Sequence, residues 1–270
     1  MKKILKLMIC TVVLLFVVVG RFYYSVYASE YQCNLANDDN LNSDDFDSLR
    51  IGSYNIKSLN YGKESLEDFN NDIEGLDLDI ICLQEVDKNA YRSGNYDMLE
   101  EMAKANGYSY YHFYSTMWIL DGYYGLGILS KYPIIEVSAK LLPNSLLKEP
   151  RILTKTTITF GNKEINVYNT HLTYENNDYR ISQMDFVKEE VDFDDYAVLA
   201  GDFNSFGMNG DFELEGIKSI NSEKEYMTFR DFAAPDDIFY SDKFTVNDQG
   251  LIMSSFSDHN LLYAELILEN

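Results

Sequence analysis

Residues 197–204 form an apolar run that ends in a glycine, an acid and an amide, and this run limits the folds open to the chain. It reads Ala197-Val198-Leu199-Ala200-Gly201-Asp202-Phe203-Asn204. A continuous apolar run of this length is typical of a buried β-strand. Asp202 and Asn204 are two residues apart, so they face the same side of an extended segment. A buried carboxylate is costly without partners, so this pair suits the open end of a strand, although two turn-forming residues would explain it equally when taken alone.

The same pattern, an apolar strand followed by polar residues, occurs four more times along the chain. The other segments are Ile51 to Asn55, Ile80 to Glu85, Ile165 to His171, and the segment that ends in Ser257-Asp258-His259. Five strand ends that supply Asn, Glu, His and Asp side chains predict one assembled site rather than five unrelated turns.

Alternating and helical spacings divide the remaining chain into short strands, several of them joined as hairpins, and a few helices. Helices are predicted over 64–73, 96–106 and 179–191, and the third is expected to carry Ile181, Met184, Phe186 and Val187 on its apolar face. Strands are predicted over 51–56, 78–86, 108–114, 125–130, 134–141, 151–160, 164–170, 237–241 and 261–268, besides the run from Ala197. This mixture predicts an α+β fold of four layers, α/β/β/α, in which two packed mixed β-sheets are flanked by helices.

The N-terminus has the pattern of an export signal. Lys2, Lys3 and Lys6 precede an apolar run from Leu7 to Val19, and Val26-Tyr27-Ala28 offers residues of the size that a signal peptidase reads. We therefore expect residues 1–28 to be a cleaved signal peptide, with an uncleaved membrane anchor as the alternative. Either alternative predicts an extracellular protein, secreted or held on the outer face of the cytoplasmic membrane. Residues 29–48 are acidic, polar and unpatterned, which predicts a linker before a single domain over 49–270.

The net charge of the chain is strongly negative. The formal charge is −22, and loss of residues 1–28 would leave 18 basic against 44 acidic residues, a net charge of −26. Such a surface opposes non-specific binding to the phosphate backbone of nucleic acids. It does not exclude a phosphate substrate, because a bound divalent cation can invert the local field.

Oxygen ligands suggest a site for a hard cation. Glu85 ends an apolar strand, where a carboxylate needs a cation or hydrogen-bond donors. Asn55 and Asp258 could add oxygen ligands, and Mg²⁺ prefers few carboxylates together with waters and substrate phosphate. A glutamate that caps a neighbouring loop is the alternative explanation for Glu85 alone.

Two of the three histidines, His171 and His259, follow strand patterns that end in polar residues. A single histidine is more often structural, and we interpret His112, which lies among aromatic residues, in that way. Two histidines at converging strand ends are better candidates for proton transfer or for stabilising a phosphate.

Five short motifs, taken in order, resemble the signatures of the endonuclease/exonuclease/phosphatase superfamily, which shares the deoxyribonuclease I-like fold. The motifs are Ser53-Tyr54-Asn55-Ile56, Leu83-Gln84-Glu85-Val86, Asn169-Thr170-His171-Leu172, Gly201-Asp202-Phe203-Asn204 and Ser257-Asp258-His259. Further matches are the segment from Tyr124 to Ile134, Glu149-Pro150-Arg151, and Arg180 with Gln183. Each tetrapeptide is weak alone, but five in the correct order are specific, and the resemblance spans residues 49–268.

The resemblance implies a metal side and a base. Glu85 would be the principal Mg²⁺ ligand, helped by Asn55, and Asp258 would support the metal side; Mn²⁺ is the alternative cation. His259 would be the general base that activates water. An acid from Pro235-Asp236-Asp237-Ile238-Phe239 would orient it, either Asp236, which aligns best, or Asp237.

The resemblance also implies residues that contact the substrate. Asp202 and Asn204 would position the nucleophile and the developing charge. His171 and Arg151 would contact the phosphate, and Asn204 would share in substrate binding. An oriented histidine paired with an acid is the usual arrangement of an activated base.

The expected function is therefore that of an exported, Mg²⁺-dependent phosphoesterase that hydrolyses a phosphodiester in a small-molecule or lipid-linked substrate. Members of the superfamily cleave DNA, RNA ends, phosphoinositides and sphingomyelin, so an exported nuclease is the second hypothesis, although the net charge opposes nucleic-acid binding. A non-catalytic surface-binding protein on the same fold is the third hypothesis, and the complete set of site residues argues against it. We expect a monomer that contacts a membrane, if at all, through its N-terminal segment.

Overall fold

The computed structural model describes residues 2–27, 47–61, 65–119, 121–145, 148–205, 214, 216–223 and 225–269. The helices are α1 (Lys2–Tyr27), α2 (Ser65–Ile73), α3 (Met98–Asn106) and α4 (Asn177–Glu190). The strands are β1 (Ser48–Asn55), β2 (Ile80–Lys88), β3 (Tyr110–Ile119), β4 (Gly122–Ser130), β5 (Ile134–Leu141), β6 (Ile152–Phe160), β7 (Lys163–His171), β8 (Ala197–Asp202), β9 (Lys218–Ser219), β10 (Asp236–Tyr240), β11 (Phe244–Ile252) and β12 (Leu261–Leu268).

The described strands form two six-stranded sheets. Sheet 1 has the order β11-β12-β1-β2-β4-β3, and sheet 2 has the order β5-β6-β7-β8-β10-β9. Both sheets are mixed, since β1 runs parallel to β2 and β7 runs parallel to β8 while the other pairs are antiparallel. The two parallel pairs lie at the centres of their sheets. The carboxyl ends of β1, β7 and β8 carry three of the five polar motifs, and a fourth, Leu83-Gln84-Glu85-Val86, lies within β2.

Three apolar clusters show how the layers are stacked. The largest cluster lies between the sheets and includes Ile51, Ile80, Val167 and Val198. A second cluster packs the other face of sheet 1 against α2 and α3, and a third packs the other face of sheet 2 against α4. Each sheet is therefore apolar on both faces, and the predicted α/β/β/α sandwich is confirmed.

Local sequence signals account for the helix boundaries. Asp97 caps α3 by accepting a hydrogen bond from the backbone nitrogen of Glu100, and Gly107 ends the helix in the left-handed conformation. Asn176 caps α4 through the backbone nitrogen of Tyr179. Both helices therefore begin two residues away from the predicted starts, at the residues where the caps allow them to begin.

Two strands and one helix face differ from the prediction. Strand β9 has only two residues and lies in a segment where no strand was predicted. Strand β11 was not predicted, because Thr245, Asn247 and Asp248 break the apolar alternation; it is an edge strand that pairs with β12 across a bulge. In α4, Met184 and Val187 are buried as expected, but Ile181 is 41% exposed. The helix packs on sheet 2 with a narrower apolar face than its sequence suggested.

The predicted leader and linker are described only in part. Residues 2–27 form α1, whereas residues 28–46, most of the predicted linker, lie outside the described residues. Among the helices described, none is both long and apolar enough to span a lipid bilayer. Ser48, the last residue of the predicted linker, already belongs to β1.

Candidate active site

Three of the predicted site residues lie side by side on neighbouring strands of sheet 2. His171 on β7 pairs in register with Asp202 on β8, and Asp202 pairs with Asp236 on β10. Residues directly opposite in a sheet project to the same face, so the register alone brings these three side chains together. The His171 Nε2 atom lies 3.3 Å from Asp202 Oδ2, and both side chains are buried.

Gly201 is what lets β7 and β8 pair this closely. A Cβ atom at this position would lie 2.3 Å from the carbonyl oxygen of Thr170 on the neighbouring strand. A larger residue would therefore push apart the two strands that carry His171 and Asp202.

His259 completes this cluster from the other sheet, in the loop that precedes β12. Its Nδ1 atom lies 2.9 Å from Asp236 Oδ2, and its Nε2 atom lies 3.6 Å from Asp202 Oδ2. The edge of the Phe229 ring packs on the imidazole with a centroid distance of 4.9 Å. One nitrogen of His259 is thus held by an acid, and the other faces the centre of the cluster.

The neighbouring acid, Asp237, points away from His259. Its carboxylate accepts hydrogen bonds from the backbone nitrogens of Asn221 and Ile238 and from the Ser219 hydroxyl. Successive residues of a strand face opposite sides of the sheet. Of the two acids that the sequence left open, the structure therefore places Asp236 on the histidine.

Sheet 1 supplies Asn55 and Glu85. The Asn55 Nδ2 atom donates to Glu85 Oε1 at 3.2 Å and to Asp202 Oδ2 at 3.1 Å, so this amide joins the acids of the two sheets. The prediction that Glu85 ends a strand was wrong: β2 continues to Lys88, and Glu85 lies in a bulge between Leu83 and Val86. Its backbone is left-handed, with φ +58°.

Asp258 lies on a cationic side of the cluster. Its Oδ2 atom is 2.9 Å from the Lys57 ammonium and 3.9 Å from the Arg230 guanidinium. Within the described part of the chain, no hydrogen bond or ion pair joins its side chain to Glu85 or Asn55. The described partners of Asp258 are thus these two cations, and its role on the metal side stays a prediction.

Arg151 and Asn204 occupy buried positions beside the acids. The Arg151 side chain is 4% exposed and pairs with Glu149 Oε1 at 2.9 Å, while its Nε atom has no hydrogen-bond partner among the described residues. Asn204 has φ +49°; its backbone nitrogen donates to Asp202 Oδ1, and its side-chain amide donates to the carbonyl oxygen of Leu172. Asn204 thus fixes both the Asp202 carboxylate and the loop that follows His171.

The sequence analysis did not identify the residues whose hydrogen bonds join the two sheets next to the site. Asn169 accepts from Gln84 Nε2 at 2.8 Å and donates to the carbonyl oxygens of Leu83 and Gly127, so it ties sheet 2 to sheet 1. Lys57, two residues after Asn55, was missed because a lysine after a strand is usually a solvated surface residue. A polar pair inside two apolar strands, Gln84 and Asn169, was the signal that could have revealed this inter-sheet link.

Burial and charge shift the pKa values of the site residues in opposite directions. Burial, together with repulsion by Asp236, raises the pKa of Asp202 to about 6. Burial alone would lower the pKa of His259, but attraction to Asp236 and Asp202 outweighs it and raises the pKa to about 10. Burial, with Arg151 and His259 nearby, holds the pKa of His171 well below its usual value. At neutral pH His171 is therefore neutral, whereas His259 is an imidazolium between two acids.

The donor set fits a hard divalent cation. Burial raises the pKa of Glu85 by more than the Asn55 hydrogen bond and the charge of Arg151 lower it. The Oδ1 atom of Asp236 is buried with no hydrogen-bond partner among the described residues. Asp202, Asp236 and His259 also offer ligand atoms within 4.8 Å of one another. Carboxylate oxygens with unused lone pairs, such as those of Glu85 and Asp236, are the ligands that Mg²⁺ or Mn²⁺ prefers.

Comparison with known proteins gives a consistent result. A sequence model of the Endonuclease/Exonuclease/phosphatase family matches residues 52–259. No curated protein sequence matches the chain. Among solved structures, it is similar to an endonuclease/exonuclease/phosphatase from Beutenbergia cavernae, with a TM-score of 0.70 and 18% identity over 83% of this chain and 72% of the other.

Two further solved structures are similar at the same level. The human Nocturnin catalytic domain with bound sulfate has a TM-score of 0.65 and 18% identity, over 82% of this chain and 94% of that one. The mannosyl-6-phosphatase of Bacteroides thetaiotaomicron has a TM-score of 0.63 and 17% identity, over 82% of this chain and all of that one, 100%. At these identities the likeness shows the fold.

Proposed function

The chain belongs to the endonuclease/exonuclease/phosphatase family, and from this premise we propose that it is an exported, Mg²⁺-dependent phosphodiesterase. Members of this family hydrolyse phosphoester bonds. The substrate class we propose is a phosphodiester in a small molecule or a lipid-linked headgroup, cleaved by attack of water.

One observation carries the proposal: His259 is held by Asp236 on one nitrogen while its other nitrogen faces Asp202. The 2.9 Å bond to Asp236 fixes the ring and the tautomer. The Nε2 atom and the Asp202 carboxylate, 3.6 Å apart, both face one position. A water molecule there could donate to both acceptors, which is the arrangement that general-base catalysis requires.

The proton on His259 sets the condition under which it acts. Asp236 and Asp202 raise the pKa of His259 to about 10. A cation held by Glu85 and Asn55 would offset the charge of those acids and so favour the neutral imidazole. His259 then accepts a proton from water at Nε2, and the imidazolium that forms is stabilised by Asp236. The water oxygen attacks phosphorus, and the bond to the leaving-group oxygen breaks.

Other residues hold the phosphate and its charge. Arg151 is a buried cation with an unused Nε donor, and His171 is a neutral imidazole beside it. Both suit the oxygens of a phosphate group. When bound at Glu85, a divalent cation would screen the charge of the phosphate and lower the pKa of water.

The charge of the protein supports a small or lipid-linked substrate over a nucleic acid. The chain has 44 acidic and 22 basic residues, and Lys57, Arg151 and Arg230 are the cations that contact the described site. These cations already pair with acids of the protein. They do not form the basic stripe that would follow a polynucleotide backbone.

Export is part of the proposal and rests on the basic and apolar N-terminus. We expect the chain that follows Ala28 to be found outside the cytoplasmic membrane, either free or attached to its outer face. Cell fractionation with N-terminal sequencing tests this. Unprocessed soluble protein in the cytoplasm would contradict both forms.

A substrate screen tests the activity. Small phosphodiesters, phosphomonoesters, phospholipids and nucleic acids would each be incubated with Mg²⁺ and with EDTA. We expect Mg²⁺-dependent cleavage of phosphodiesters that changes little between low and high salt. Cleavage confined to nucleic acids, with a rate that falls steeply with salt, would replace the proposed substrate class by the nuclease alternative, and no cleavage of any substrate would contradict the proposal.

A further inference from the structure

The backbone that follows Asn55 is left-handed over four consecutive residues. Lys57, Ser58, Leu59 and Asn60 have φ values between 46° and 51°. None of them is glycine, and the left-handed conformation costs roughly 1–2 kcal/mol for each L-residue. Strain of this kind persists only where the surrounding structure holds it, and it concentrates at functional sites.

The left-handed turn delivers the Ser58 hydroxyl to the strand that carries Glu85. Ser58 is buried, and its Oγ atom lies 3.2 Å from the carbonyl oxygen of Glu85 and 3.1 Å from Asp87 Oδ1. The bulge in β2 takes Glu85 out of the regular pairing with β4. Its carbonyl oxygen therefore needs a partner from outside the sheet. The single proton of the Ser58 hydroxyl is shared between this oxygen and Asp87 Oδ1.

Asp87 and Arg92 complete the support. The Asp87 carboxylate is fully buried. Arg92 makes a bidentate contact with it, through Nε at 2.8 Å and Nη2 at 2.7 Å. The Arg92 Nη2 atom also lies 3.4 Å from Ser58 Oγ, and the guanidinium lies over the ring of Tyr124. A bidentate ion pair of this type fixes the relative orientation of the two side chains as well as the distance between them.

We propose that Ser58, Asp87 and Arg92 are positioning residues that hold the left-handed Glu85 bulge and so present its carboxylate to the divalent cation. This inference rests on the proposed function only in taking Glu85 as a metal ligand. The three residues act on the backbone of Glu85, through its carbonyl oxygen and through Asp87, two positions later.

Metal binding can be measured without a substrate. Mn²⁺ serves as the probe, and its binding to the whole chain is followed by electron paramagnetic resonance. We expect Ser58→Ala to weaken Mn²⁺ binding about 10-fold or more, the range found when an outer partner of a metal ligand is lost. Asp87→Asn and Arg92→Gln should weaken it in the same range.

Two glycine variants separate positioning from strain. Ser58→Gly relieves the left-handed backbone but removes the hydroxyl, so it should weaken Mn²⁺ binding as Ser58→Ala does. Asn60→Gly relieves the same turn at an exposed residue and leaves the hydroxyl in place, so Mn²⁺ binding should stay at the wild-type value. If Ser58→Gly bound Mn²⁺ like wild type, the hydroxyl would have no positioning role.

Activity gives a second readout. In Ser58→Ala, the Mg²⁺ concentration for half-maximal rate should rise about as much as the Mn²⁺ dissociation constant, while the rate at saturating Mg²⁺ stays within about twofold. If the wild-type protein binds Mn²⁺ but cleaves no phosphoester, the proposed function fails, and the binding data still decide the positioning role. Unchanged Mn²⁺ binding in all three residues' variants, or no Mn²⁺ binding by the wild type, would overturn the inference.

Discussion

The two sheets place their site residues by different physical means. In sheet 2, His171, Asp202 and Asp236 occupy matched positions on three regular strands. In sheet 1, Glu85 sits on a bulge with φ +58°, and the turn after Asn55 is left-handed over four residues. The first group is positioned by strand pairing, and the second by irregular backbone held in place by side chains.

The difference shows where each half of the site is robust. A residue positioned by strand register moves only if the sheet itself shifts, because a slip of one residue would turn every side chain to the other face. A residue positioned by a bulge depends on the few hydrogen bonds that hold the bulge. We therefore expect substitutions behind sheet 2 to affect folding, and substitutions behind sheet 1 to affect metal binding first.

The largest effect is expected for the paired acid and base, in which Asp236 of sheet 2 holds His259 of the loop that precedes β12. His259→Ala and Asp236→Asn should each lower the rate roughly 10²–10⁴-fold, the usual contribution of general-base catalysis. The double variant should be hardly slower than His259→Ala, because the two residues act as one unit. Single-turnover rates at saturating Mg²⁺ measure this.

Asp237→Asn is the matched control for that cycle. Its carboxylate holds Asn221 and Ser219 instead of His259, so this variant should lose stability but retain the rate of the folded protein. If the effects of Asp237→Asn and His259→Ala on the rate were not additive, and Asp236→Asn were as active as wild type, the assignment of Asp236 as the partner of His259 would be wrong.

A second prediction compares a histidine of the sheet 1 core, His112, with the site histidine, His259. His112 on β3 is buried near Lys88, and burial lowers its pKa to about 4, whereas the pKa of His259 is raised. Between pH 6.5 and pH 4 the unfolded chain binds a proton at His112 that the folded chain does not. The free energy of unfolding should therefore decrease as the pH is lowered from 6.5 to 4, and His112 should contribute about 3 kcal/mol to this decrease.

Denaturant unfolding of the metal-free protein at a series of pH values measures this loss. His112→Gln should flatten the curve between pH 6.5 and pH 4 relative to wild type. If the free energy of unfolding of His112→Gln depended on pH as steeply as that of wild type, the loss could not be assigned to His112.

A third prediction concerns the metal ligand on the sheet 1 side. Glu85→Gln should keep the fold but weaken Mg²⁺ binding by about 100-fold or more, because a neutral amide is a poor ligand for a hard cation and even outer partners contribute 10–100-fold. Calorimetric titration with Mg²⁺ measures it. Unchanged Mg²⁺ affinity in a folded Glu85→Gln protein would remove Glu85 from the metal site.

The same comparison explains how much of the molecule could be predicted from sequence. The layered fold and the strands of sheet 2 other than the two-residue β9 could be predicted, because apolar strands followed by polar residues reveal both the strand and its open end. His171 and Asp202 needed no further information, since pairing of β7 with β8 brings them together. The choice between Asp236 and Asp237 needed the strand register, which the sequence leaves open by one residue.

The irregular side could not be predicted. Nothing in the letters of Leu83-Gln84-Glu85-Val86 shows a bulge, because a bulge depends on how the partner strand is paired and on distant groups such as Ser58. Lys57 and Asp258 are 201 residues apart in sequence, and their ion pair follows only from the three-dimensional structure. Long-range contacts and left-handed backbone at residues other than glycine leave little local signal.

The smallest expected effect tests whether the left-handed turn is strained. Asn60 is exposed with φ +49°, so glycine would remove a left-handed penalty of roughly 1 kcal/mol, while the added freedom of the unfolded chain would cost about 0.5–1 kcal/mol. Asparagine tolerates this conformation better than most residues. The net change for Asn60→Gly should therefore be a small gain in the free energy of unfolding, no more than about 0.5 kcal/mol.

Asn71→Gly on the exposed face of right-handed α2 is the matched control and should lose a few tenths of a kcal/mol. Chemical denaturation of the two variants side by side decides the sign, and a loss for Asn60→Gly as large as that for Asn71→Gly would mean that the turn after Asn55 carries no strain.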